Sequence, residues 1–150
     1  MLRDDILQAA RDVSVSADAF HVLSSGDAAA VVSRMLATFV DQPKRTWWWE
    51  GFVPPGVRRP SPDPISSFLQ VLVPDAAECL FLLTTPDDEV PESVFSASAA
   101  TIASVIDECY RFEFVVLHPS FSWLICESHH GVLYAVGEPV RTRLESLLEP

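Results

Sequence analysis

RFEFVVLHPSFSWLICESHHGVLYAVG, residues 111–137, decides the fold. Three apolar runs stand in it, Phe112–Leu117, Phe121–Cys126 and Val132–Val136. His118-Pro119-Ser120 breaks the first from the second. Ser128-His129-His130-Gly131 breaks the second from the third. Runs rich in Val, Ile, Phe, Tyr and Trp, bounded by Pro, Ser and Gly, are strand-forming. Breaks this short join antiparallel neighbours only, because a parallel return needs a crossover of about a dozen residues. The stretch therefore predicts a three-stranded meander. Alternation puts Phe112, Phe114 and Val116 on one face, and Arg111, Glu113, Val115 and Leu117 on the other. Both faces carry apolar residues. One should lie under helices, and the other should be partly covered by a loop or a partner.

Outward from the meander, helices alternate with short strands. Leu2, Ile6, Ala9 or Ala10, and Val13 form a helical stripe. A polar stretch, residues 14–25, follows. Ser24 with Asp27 reads as an N-cap pair for a second helix that ends before Pro43. Trp47-Trp48-Trp49 reads as a strand, with Trp47 and Trp49 on one side and Trp48 on the other. Residues 52–64 hold five of the 12 prolines and read as a loop or polyproline excursion. Asp63-Pro64 should open a helix through Ile65, Phe68, Leu69 and Leu72. Residues 79–84, CLFLLT, read as a buried central strand, and Val94-Phe95 as a short edge strand. Residues 98–110 read as a helix, and Pro139 opens a last one. Together these predict one α+β domain over residues 1–150, a mixed or mainly antiparallel sheet with helices packed on it.

Composition narrows the function classes. The 150 residues are 49% hydrophobic and 21% charged, with a formal net charge of −11. That charge argues against nucleic acid, where neutralising phosphate drives binding. No apolar run approaches the ~18 residues of a membrane span, and the N-terminus lacks a secretory pattern, so the expected location is cytoplasmic. Cys79, Cys109 and Cys126 offer neither a disulfide framework nor a CxxC site. Residues 61–108 hold nine acids and no Lys or Arg. Such a field suits a basic protein partner, although net charge also serves solubility alone.

No GxSxG, Walker loop, GxGxxG or HExxH occurs. His118 and the His129-His130 pair fall in successive turns, which lie at opposite ends of a meander, so they cannot share one metal. Glu127, His129 and His130 fall short of a closed four-ligand site. No metal and no cofactor is expected. Two functional readings remain. The first is a non-enzymatic protein-binding module masking a basic partner. Its candidate contacts are Trp48, Trp123, Arg58, Arg59 and the acidic turn Asp87-Asp88-Glu89. The second is a small enzyme or ligand-binding domain. Its pocket would gather Trp47, Trp49, Glu127, His129 and His130.

Glu113-Phe114-Val115-Val116, Trp123-Leu124-Ile125-Cys126-Glu127, His129-His130-Gly131 and Gly137 together resemble the C-terminal signature of a family of small bacterial proteins of uncharacterised function. In its typical form an aromatic strand is followed by a Trp-Leu strand and a His-His turn. The resemblance covers residues 113–137. Phe114 and Val115 stand where tyrosines are typical, and Ser128 where Asn is. The resemblance is to immunity candidates encoded beside bacterial toxins. It implies partner binding and supplies no catalytic residue.

Overall fold

The computed structural model describes residues 2–42, 47–84, 93–110 and 112–148. In chain order the elements are α1 (Leu2–Asp12), β1 (Phe20–Val22), α2 (Ser25–Phe39), a 3-10 turn (Trp48–Gly51), β2 (Val57–Pro60), α3 (Ser66–Leu72), β3 (Cys79–Thr84) and β4 (Val94–Ser98). Then come α4 (Ala99–Glu108), β5 (Phe114–Leu117), β6 (Leu124–Glu127), β7 (Val132–Val136) and α5 (Val140–Leu148).

The seven strands form one sheet in the order β1-β4-β3-β5-β6-β7-β2, every pairing antiparallel. The fold is α+β, and β5–β7 are the expected meander. Phe114 pairs with Glu127, and Glu127 with Leu133. All eight residues of β5 and β6 are buried. This follows from a sheet covered on both faces. Ile6, Leu69, Ile106 and Leu144, from α1, α3, α4 and α5, share a core with Leu82, Phe114, Val116 and Ile125. On the opposite face Val32, Met35 and Phe39 of α2, with Trp48, Trp49 and Phe52, cover Leu83, Val115, Leu117 and Cys126. The second cover is therefore α2 and the 3-10 turn, rather than a loop or a partner.

Several expectations are corrected. The tryptophans form no strand: Trp47 precedes a 3-10 turn that turns Trp48 and Trp49 inward together. A 3-10 turn does not alternate its side chains, so Trp48 and Trp49 can share one core. The proline-rich stretch contains a strand, β2, with Pro60 at its end, where the missing N–H is tolerated on a sheet edge. The polar stretch 14–25 contains β1, which pairs with β4 and so moves β4 from the edge to the interior. Helix α3 starts at Ser66, two residues after Pro64. The first two strands of the meander start later than their apolar runs, at Phe114 and Leu124, and the second extends to Glu127.

The Ser24 cap is as the sequence implies: the Asp27 N–H donates to Ser24 Oγ at 3.2 Å. Helix α4 runs Ala99–Glu108, shorter than the expected 98–110, with Ser98 as its cap, whose Oγ accepts from the Thr101 N–H at 3.2 Å. Two contacts fix α3 over the sheet. The Arg143 guanidinium of α5 donates to the Leu72 carbonyl at 2.9 Å, at the end of α3 where a cation is favoured. The Arg59 guanidinium of β2 lies 4.2 Å above the Phe68 ring.

Candidate functional site

The β6–β7 turn brings His129 and His130 beside Trp47 and Trp49. The His129 ring centroid lies 4.8 Å from that of Trp47 and 5.2 Å from that of Trp49. The two imidazoles are 4.0 Å apart, and His130 meets Trp49 edge-on at 6.4 Å. Four of the five residues expected in one pocket are thus gathered. The fifth, Glu127, is not. The carboxylate in the cluster belongs to Glu113. Its Oε1 accepts from the His129 backbone N–H at 2.6 Å and from His129 Nδ1. Oε1 is the acceptor for both, so the His129 proton sits on Nδ1. The period of two explains the exchange. Glu113 lies on the Cys126 face, whereas Glu127 lies on the Phe114 face. Counting back along β5 from its register with β6 would have found Glu113 beside the turn.

Glu127 is 2% exposed. It lies at the floor of a cleft of about 480 Å³, with Phe112 and Phe114. One wall is the segment Pro62–Ile65, and the other is Ile106, Asp107, Cys109 and Tyr110 at the end of α4. Cys109, Tyr110, Phe112 and Glu113 lie between α4 and β5 in neither helix nor strand. The Tyr110 ring stands 98% exposed on the rim. Asp63 and Asp107 are exposed at the mouth. No Lys, Arg or His lines the cleft among the described residues. Burial, then Asp5 and Glu108, push the Cys109 thiol up to about 11. Asp107 also borders a second groove of about 250 Å³ between α3 and α4, floored by Ala99, Ala100 and Ala103. The two hollows therefore adjoin at one carboxylate.

The remaining candidates separate. Trp48 and Trp123 are 2% and 4% exposed, so neither is available as a surface anchor. Each packs into a core because the strand faces behind them need cover. Arg58 is exposed on edge strand β2, while Arg59 is held over Phe68. Asp87, Asp88 and Glu89 lie outside the described residues. The exposed tryptophan is Trp47, at 42%. Among the described residues, no group of three His, Cys, Asp or Glu could hold a metal ion, and no helix is long and apolar enough to cross a membrane.

The fold and its cleft define an α+β protein with an acidic, aromatic-rimmed hollow at one end of a fully antiparallel sheet. Over residues 1–148 the chain matches a family of unknown function (DUF6756), and it belongs to that family. No curated protein and no solved structure matches it.

Proposed function

We propose that this is a protein-binding module of the immunity type, which masks a basic partner by taking a Lys- or Arg-bearing segment into the Asp63–Asp107 cleft. The observation that carries this reading is the cleft itself. Carboxylates stand at its mouth, and aromatic rings line its floor and rim. A cationic side chain with an apolar stem suits such walls, because its methylenes lie on Phe112 and Tyr110 while its charge reaches a carboxylate. The exposed carboxylates speed encounter, and desolvated aromatic contact slows departure. The adjoining α3–α4 groove offers room for the residues that flank the cation. The resemblance of the β5–β7 signature to immunity candidates points the same way.

The test is capture of partners from the native host at low and high salt, beside titration of short Lys/Arg peptides followed by NMR. Peptide shifts should fall on residues 62–65 and 106–112. Asp63→Lys with Asp107→Lys should abolish them, and Tyr110→Ala should weaken binding by ~10-fold or more, the range of an interface aromatic. Capture of only acidic or neutral proteins, or binding unchanged in the double reversal, would refute the proposal.

A second reading is a small-molecule site. A cleft of about 480 Å³ lies in the size range of such sites. Here it would favour an organic cation, and the same NMR titration with simple amines separates it from a peptide site.

A further inference from the structure

The β5–β6 turn lies at the other end of these strands from the cleft, and it holds a different arrangement. Glu78, just before β3, meets His118, just after β5: His118 Nε2 lies 2.9 Å from Glu78 Oε1. The other ring nitrogen, Nδ1, accepts the Ser120 backbone N–H at 3.0 Å. A nitrogen that accepts from an amide N–H carries no proton of its own. The ring proton is therefore on Nε2 and is donated to Glu78. Ser120 Oγ lies 2.6 Å from the same Nδ1, so its hydroxyl is the donor in that pair. Ser122 Oγ lies 2.7 Å from Ser120 Oγ and can donate to it. The chain of hydrogen bonds runs from Ser122 to Ser120, to His118, to Glu78, all in one direction.

This is the polarity that activates a hydroxyl nucleophile: a base in contact, oriented by a carboxylate behind it. Two further features fit. Ser120 is exposed to solvent, so an electrophile can reach it. Phe121, the next residue, has φ 58°, a left-handed conformation that strains a bulky side chain and recurs where function holds the backbone. The Arg34 guanidinium of α2, 4.1 Å above the Phe121 ring, and the Trp123 indole just before β6, 5.5 Å from the His118 ring, brace the turn.

We propose that Ser120 is a nucleophile for activated acyl donors, the class of aryl esters and thioesters, with His118 as its general base. Ser120 Oγ forms a bond to the acyl carbon as the bond to the phenolate or thiolate leaving group breaks. The hydroxyl proton passes to His118 Nδ1 and then to the leaving group. Glu78 offsets the imidazolium charge. The product is an O-acylated Ser120. This inference does not rest on the cleft reading, and the two can fail separately.

The test is a burst experiment with p-nitrophenyl acetate on the whole chain, followed by peptide mass spectrometry. The sequence has one lysine, Lys44, so amine background is small. The expected result is a burst of about one equivalent with the acetyl group on Ser120. It should vanish in Ser120→Ala, return as an S-acyl product in Ser120→Cys, and slow by ~10²-fold or more in His118→Ala, the lower range for a general base. Should His118→Ala fail to fold, Glu78→Gln decides instead, with a burst ~10-fold slower at an unchanged Tm. A burst unaffected by Ser120→Ala, or acetyl found only on His118, Cys79 or amines, would overturn the proposal.

Discussion

Glu113 and Glu127 show what one residue of offset does in a strand. The sequence places two carboxylates at the entrance to β5 and the exit of β6, and alternation alone sends them to opposite faces. The gathering of Trp47, Trp49, His129 and His130 was legible from the aromatic run and the histidine turn. Their carboxylate partner was legible only after the register was known. The cleft was not legible, because its lining comes from residues 62–65, from Ile106, Asp107, Cys109 and Tyr110, and from Glu127, which no local pattern connects. Nor was the Glu78–His118 contact, whose members are 40 positions apart. The cysteines give a prediction at this scale. Cys79 is exposed, Cys109 half-buried and Cys126 buried. Burial, then Glu113 and Glu127, push the Cys126 thiol up, far above its ordinary value. Thiol reagent at mild pH should modify Cys79 first, Cys109 slowly, and Cys126 only on unfolding. A folded-state pKa raised above the unfolded value favours the protonated form on folding. The stability linked to Cys109 is therefore full below pH 9.0 and is lost as pH rises through about 11. Denaturant midpoints measured from pH 8 to 11 should fall, and Cys109→Ser should flatten the Cys109 part of that slope.

Elements with a strong internal signal are where the sequence implies. Helix α2 has its Ser24 cap, α4 its inward stripe of Ile102, Val105 and Ile106, and the meander its breaks. The illegible elements are β1 and β2, of three and four residues. Both are sheet edges whose hydrogen bonds come from strands far along the chain, so their own composition carries little of the reason they exist. The third misread element, the tryptophan run, followed from assuming extension where a tight turn buries two adjacent rings. The passage from β7 to α5 provides a test at this scale. Gly137 has φ +81°, and a Cβ there would meet the Ser122 carbonyl oxygen at 2.2 Å and Trp123 Cα at 3.0 Å. Both are backbone atoms and cannot step aside. Gly137→Ala should therefore cost at least about 2 kcal/mol. Gly26→Ala is the control: it lies inside α2, with nothing within 4 Å of its Cβ. That change should be neutral or stabilise by about 0.5–1 kcal/mol. Equal effects at the two glycines, read from urea unfolding, would show that the close approach is absent in solution.

At the scale of the molecule, the sheet order crosses the order of the chain. The central strands β3 to β7 come from the second half of the sequence, while the two edges, β1 and β2, come from the first. A protein emerging from a ribosome meets this order as a delay. When residues 57–60 leave the exit tunnel, their partner strand β7 is still roughly 75 residues from emerging. At ~5–20 residues per second the wait is about 4–15 s. Throughout it the first half can form helix α1 and the capped helix α2, but it has no sheet to complete. A nascent chain stalled before residue 129 should consequently remain open to protease across residues 20–42 and 47–60. Release of the finished chain should close that whole region at once. Protection that builds stepwise as the chain lengthens would mean that the amino-terminal half folds without its late partners.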